Sequence, residues 1–202
     1  MIEFKKYEAK TLNEATSKAI LDLSVPEEDL IIKILEEKGG LFKKCIIEVT
    51  TVNNVINHLK DTITEITKLM NIEVNLEVRR RENTINIKLF SDNNAILIGK
   101  NGRTISALQL LLKQMLYNEI GDKVKILLDV ENYKEKRVKN LTYLAKKVAK
   151  EVADTKIEVQ LERMNSYERR IIHEALADNK YVYTESFGEE PERYVVVKPR
   201  ED

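Results

Sequence analysis

Residues 96–105, Ile-Leu-Ile-Gly-Lys-Asn-Gly-Arg-Thr-Ile, constrain the fold more than any other stretch of the chain. Gly99 and Gly102, three apart, separate a short apolar segment from a longer one with helical periodicity. Glycine reaches positive φ without penalty and lets another backbone approach where a Cβ would intrude. The expected geometry is a short helix, a tight turn and a longer helix. The first amides of that second helix point outward with partial positive charge, which suits phosphate oxygens. Lys100 and Arg103 add two full positive charges at the same spot. Taken alone, Gly-x-x-Gly is more often a plain turn, because short glycine motifs recur by chance. Its context decides.

That context is an ordered series of elements. Val52, Val55, Ile56, Leu59, Ile63, Ile66 and Met70 share one helical face and predict a helix from about Val52 to Met70. Val74, Leu76 and Val78, then Ile85, Ile87 and Leu89, alternate as two strands over 73–80 and 84–90. Asp92 is placed to N-cap the short helix ending near Ile98. The longer helix buries Ile105, Leu108, Leu112 and Met115, and Val124 to Val130 reads as an apolar strand. The order is α-β-β-α-loop-α-β.

Two further modules flank this one. Residues 1–51 read as β-α-β-β. A strand runs from Ile2 to Tyr7, and Thr11 can N-cap a helix with Glu14 as capping-box partner. Pro26 closes that helix, and two strands, 30–35 and 41–49, meet at Gly39-Gly40. Residues 132–202 open with a helix over about Tyr133 to Val152. Ile157, Val159 and Leu161 then alternate as a strand, and Ser166 can N-cap a helix to about Asp178. Two more strands follow, at Tyr181 to Phe187 and Tyr194 to Val197. The fold class expected is α+β: three small α/β modules in tandem, divided as 1–51, 52–131 and 132–202.

Arg169 and His173 lie four apart in that last helix, so they stack on one face. Arg170 joins them, and Tyr167 falls on the apolar arc and is expected in the core. Several donors in one patch can grip phosphates, and an imidazole can stack on a base. The plainer alternative is a surface histidine beside a solvated arginine. The net charge of the chain is zero, which by itself does not point to nucleic acid. Charge is nevertheless segregated: Tyr133 to Lys150 holds seven basic residues (Lys134, Lys136, Arg137, Lys139, Lys146, Lys147, Lys150) against one acid, Glu135. Local patches of this kind act on phosphates whatever the whole-chain sum.

In element order and loop sequence, the segment from Val52 to Val130 resembles the prokaryotic (type II) KH domain. Such a domain clamps about four nucleotides with this loop. Arg169 and His173, with the segment Val182 to Arg193 after them, resemble the domain family named for its Arg-x-x-x-His spacing, which binds single-stranded nucleic acid. Arg193 is a further basic contact under that resemblance. The combination, with the first fifty residues, resembles the bacterial Jag/KhpB family along essentially the whole chain. Lys38-Gly39-Gly40-Leu41-Phe42 falls where that family's N-terminal module carries a Lys/Gly-Phe/Leu turn, although Lys43-Lys44 replaces the further glycine usual there. The family's long charged linker is missing too, so the first module is expected close to the second. The resemblance implies single-stranded RNA as ligand, with single-stranded DNA as a second candidate. It also implies, in some members, a small single-KH-domain partner, and a link to control of cell elongation and division.

The RNA-contacting residues expected are Ile98, Gly99, Lys100, Asn101, Gly102, Arg103, Ile105, Arg169, Arg170, His173 and Arg193. An enzyme is not expected, because there are only two histidines and one cysteine, Cys45, and no nucleophile, Walker or metal-ligand pattern. No cofactor and no metal are therefore expected. No signal-peptide pattern and no apolar run of about 18 residues is present, so a cytoplasmic protein without membrane insertion is expected. The competing class is a protein-interaction adaptor whose KH fold mainly mediates dimerisation or partner binding, homo-oligomers included. Steep weakening by salt separates RNA binding from that alternative.

Overall fold

The computed structural model describes residues 1–39 and 44–200. Two compact units divide it, Met1–Glu131 and the part from Asn132 onward. The turn expected at Gly39-Gly40, with Leu41 and Phe42, falls on residues 40–43, outside the described ones.

The first unit holds two three-stranded sheets. Strands β1 (Lys5–Ala9), β2 (Leu30–Lys38) and β3 (Lys44–Thr51) pair antiparallel in the order β1-β3-β2. Helix α1 (Leu12–Leu23) covers this sheet through Ala15 and Ala19, which pack on Cys45, Ile47 and Val49. The Thr11 hydroxyl accepts from the Glu14 amide, as the spacing predicts. The Glu14 carboxylate returns to the amide of Lys10, one residue further back than a capping box reaches. β1 starts at Lys5 and not at Ile2. The Ile2 amide donates to the Glu119 carboxylate at 3.0 Å, which ties the chain start to a helix instead of to β3.

Helix α2 (Val52–Leu69) leaves β3 without a linker and buries Val52, Val55, Leu59 and Ile63. Strands β4 (Asn75–Arg81), β5 (Thr84–Phe90) and β6 (Lys125–Val130) form the second sheet in the order β4-β5-β6. β4 and β5 are antiparallel, and β5 and β6 are parallel. The crossover between β5 and β6 is α3 (Asn94–Ile98), one 3₁₀ turn (Lys100–Gly102) and α4 (Arg103–Ile120). α4 buries Ile105, Leu108 and Leu112 as expected; beyond that Leu116 and Ile120 continue the face, and Met115 is only half-buried. Asn93, and not Asp92, holds the cap position of α3, because Asn94 and Ser91 already bind the amides of Ser91 and Asn93.

β6 lies at an edge of its sheet, yet two of its amides are occupied by side chains of its own chain. The Gln109 side-chain oxygen accepts from the Leu128 amide at 2.9 Å, and Asp129 Oδ1 accepts from the Val130 amide at 3.0 Å. Between the first two modules, Arg80 donates to the Glu28 carbonyl at 2.7 Å and forms an ion pair with Asp29. This matches the expectation that the first module sits close to the second.

The second unit packs helices α5 (Tyr133–Thr155) and α6 (Ser166–Leu176) on a sheet of β7 (Val159–Gln160), β8 (Val182–Phe187) and β9 (Tyr194–Pro199), ordered β7-β9-β8. Leu141, Ala145, Val148 and Val152 of α5 meet Ile171, Ile172 and Leu176 of α6 over Val182, Val195 and Val197. The strand expected through Ile157 is shorter, since only Val159 and Gln160 pair with β9 and Ile157 is left exposed. Among the described residues, no helix is long and apolar enough to cross a membrane.

Candidate nucleic-acid interface

The Gly99–Gly102 loop has the geometry its glycines predict. Gly99 sits at φ 69°, ψ 175°, a region that side-chain-bearing residues rarely adopt. A Cβ on Gly99 would lie 2.1 Å from Thr104 Oγ1. Gly102 (φ 75°, ψ 15°) and Asn101 (φ 54°, ψ 33°) are both left-handed, and the Gly102 amide donates to the Gly99 carbonyl at 3.2 Å. Positive φ at Gly99, Asn101 and Gly102 thus folds the backbone tightly onto the start of α4, an 18-residue helix. Its positive dipole end therefore opens at the loop.

Lys100 and Arg103 are exposed here, and neither pairs with a carboxylate among the described residues. Ile98 is half-buried beside the loop. Ile105 is buried, so it supports the loop from beneath and leaves Ile98 as the accessible apolar neighbour. Thr104, whose hydroxyl fills the space under Gly99, is a residue that motif reading missed. Only the close approach in three dimensions reveals it.

The Arg-x-x-x-His helix is arranged differently from its helical-wheel reading. Asn165, and not Ser166, is the N-cap of α6. Its side chain accepts from the Glu168 amide at 2.9 Å, and the Glu168 carboxylate accepts from the Asn165 amide at 3.3 Å, a complete capping box. The buried arc is centred on Ile172, so Tyr167, five residues earlier and about 140° round the helix, is 64% exposed and not in the core. Glu168 and Arg169 are buried in its place, at 5% and 8% exposure.

Arg169 and His173 both turn toward β8. The Arg169 guanidinium donates to Ser186 Oγ at 3.4 Å and pairs with the Glu190 carboxylate. The His173 ring bonds Thr184 Oγ1 at 2.6 Å through Nδ1 and Ser186 Oγ at 2.9 Å through Nε2. Hydroxyls both donate and accept, so they satisfy either neutral tautomer. Arg170 leaves this group; it is exposed and bonds Glu174 Oε1 at 2.7 Å. Arg193 is half-buried on the loop before β9, with its Nε buried and unpartnered among the described residues, as is Arg169 Nε. The signal for Thr184 and Ser186 was present in the sequence as two small hydroxyls at strand spacing, which put both on one face of β8.

Burial first, and the Arg169 charge second, hold His173 below the ordinary imidazole value of 6.5. The unfolded chain therefore takes up this proton first as pH falls. The resulting stability is whole above about 6.5 and is lost as pH drops toward the folded value. Urea unfolding of the second unit is expected at lower midpoint at about pH 5.5 than at about pH 7.5, with a His173→Gln chain showing a flatter dependence. An unchanged pH dependence in that variant would contradict the assignment.

Comparison with known proteins matches all three modules. A family model described as the Jag N-terminus matches residues 7–51, one for the KhpA/KhpB KH domain matches 57–128, and one for the R-three-H domain matches 139–199. The RNA-binding protein KhpB of Clostridium symbiosum is 37% identical over 196 residues, covering 94% of this chain and 88% of that protein. KhpB of Bacillus subtilis (strain 168) is 31% identical over 196 residues, covering 93% and 94%. With the loop, the Arg-x-x-x-His helix and the module order all in place, the chain belongs to the KhpB family.

Proposed function

We propose that this protein binds single-stranded RNA through two sites and performs no catalysis. The observation that carries the reading is the Gly99–Gly102 loop, where two unpaired cations meet the positive end of α4. Phosphates of about four nucleotides would lie against Gly99, Lys100, Asn101, Gly102 and Arg103, with Ile98 and the underlying Ile105 shaping the apolar side. The second site is built on Arg169 and His173, with Arg170 and Arg193 as outlying cations. A phosphate there competes with Glu190 for Arg169, so this site is the weaker of the two. Linking two weak sites raises avidity without new contacts. The names of the relatives, RNA-binding protein KhpB, support the reading.

The proposal divides the chain into modules 1–51, 52–131 and 132–202, and places it in the cytoplasm as a post-transcriptional regulator linked to cell elongation and division. Single-stranded DNA is a secondary ligand in this reading, and a small single-KH-domain protein a candidate partner. The test compares a short single-stranded RNA with matched DNA, at low and moderate salt. Lys100→Asp with Asn101→Asp, which keeps both glycines, is expected to weaken binding at least tenfold, since it sets carboxylates where phosphate sits. Arg169→Ala with His173→Ala is expected to weaken it less. Absence of single-strand binding by the unaltered chain at low salt would refute the reading.

One observation favours an adaptor. Leu110, Leu111 and Tyr117 of α4 are exposed apolar side chains. Dimerisation through them would persist in high salt, whereas phosphate binding would not.

A further inference from the structure

Helix α5 carries a face that neither proposed site uses. Its core residues Leu141, Ala145, Val148 and Val152 fix which side points inward. At about 100° per residue, Lys136, Lys139, Tyr143, Lys146, Lys147 and Lys150 fall within a band on the opposite side. All six are exposed. No acidic residue occurs between Lys136 and Lys150. Arg137 belongs to Glu168 and Lys139 to Glu135, each at 2.7 Å. Lys136, Lys146, Lys147 and Lys150 have no carboxylate partner among the described residues. Elsewhere in this unit Arg163, Arg169, Arg170 and Lys198 are matched by Glu192, Glu190, Glu174 and Glu185. The band from Lys136 to Lys150 is about 21 Å long at 1.5 Å per residue.

Tyr143 stands in the middle of this band and is 71% exposed. Folding gains little from a phenol ring held in water, so its placement among four uncompensated lysines asks for a ligand with both phosphates and open ring faces. We propose that the solvent face of α5 is a third contact surface for single-stranded nucleic acid. The lysines track the sugar–phosphate backbone, and Tyr143 stacks on a base. A duplex keeps its base faces inside the stack and has none to offer Tyr143. A lipid surface is disfavoured because the main apolar stripe of α5 is buried in its own core and has nothing to insert. The inference rests on the RNA-binding reading above and extends it to this helix.

The test uses the full chain and a short single-stranded RNA, with binding measured over a salt series. Replacing Lys136, Lys146, Lys147 and Lys150 together by Gln is expected to weaken binding and flatten the log–log salt slope by about 0.7 per lysine. Tyr143→Ala is expected to weaken binding at least about fivefold with the slope unchanged. All five side chains are exposed, so both variants are expected to fold, and circular dichroism checks this. If the unaltered chain binds no single strand, the RNA-binding reading falls and this extension with it. If it binds, and Lys100→Asp with Asn101→Asp weakens it while both α5 variants match the unaltered chain, only the α5 surface is overturned. Loss confined to duplex RNA, or to phosphatidylserine vesicles, overturns it as well.

Discussion

Gly99→Ala is expected to destabilise the first unit by about 3 kcal/mol, because a left-handed, extended-ψ residue and a steric clash are both imposed at one position. The backbone at Gly99 (φ 69°, ψ 175°) is closed to alanine without strain. The new methyl would meet Thr104 Oγ1 at 2.1 Å, Thr104 Cβ at 2.9 Å and the Thr104 amide at 3.0 Å. Thr104 is in the first turn of α4, so relief requires moving the helix start or opening the loop. Either change removes the alignment of Lys100 and Arg103 with the helix end, and RNA affinity falls together with stability. Adding Thr104→Ala removes the hydroxyl but leaves the contacts with Cβ and the amide, so it restores only part of the loss. Urea unfolding and RNA titration of the two variants check this; a Gly99→Ala chain as stable as the parent would refute the loop geometry.

Glu168→Ala is expected to cost about 3 kcal/mol in the second unit, from a broken, largely buried ion pair together with a lost cap. One carboxylate oxygen accepts from Arg137 Nε at 2.7 Å, and the other closes the capping box on the Asn165 amide. Alanine strands Arg137, whose side chain is only 24% exposed. Water relieves part of that isolated charge, which keeps the loss at the lower end for a buried pair. Glu168→Gln retains an oxygen for the cap and is expected to lose about half as much. Removing Arg137 as well as Glu168 is expected to cost less than the two single losses added, because no stranded charge remains. Hydrogen exchange of the α5 and α6 amides, with urea unfolding, measures all three. Additive losses would show that the two side chains act independently.

The element order was legible along nearly the whole chain because the apolar periods are strong. Strand 84–90 and the helix beginning at Val52 fall where alternation and helical spacing place them. The loop was legible for a different reason: its glycines mark backbone conformations that few other residues adopt. Misreadings arose where a local signal had two neighbouring candidates. Ser166 and Asn165 can both cap, and Asn165 does so because Glu168 is three residues beyond it. An arc drawn on apolar residues alone places Tyr167 in the core. The real arc includes Glu168 and Arg169, because Arg137 and Glu190 on other elements neutralise them. Such partners lie 31 and 21 residues away, and no window along the chain pairs them. Thr104 is close to Gly99 in sequence, but their contact depends on the left-handed turn at Asn101 and Gly102 between them, which residue spacing alone does not specify.

The side-chain bonds on β6 have a consequence for how this protein keeps to itself. An outer strand with bare amides is a template on which another extended chain can add, and repeated addition leads to fibrils or aggregates. Here Gln109 and Asp129 already occupy the amides of Leu128 and Val130, so an incoming strand finds no donor at either position. The sheet is terminated from within, by a helix side chain and a neighbour in sequence, at no cost in sheet length. At those two positions contact along this border falls to side chains, which can be chosen by shape and charge, in place of backbone pairing, which accepts almost any sequence.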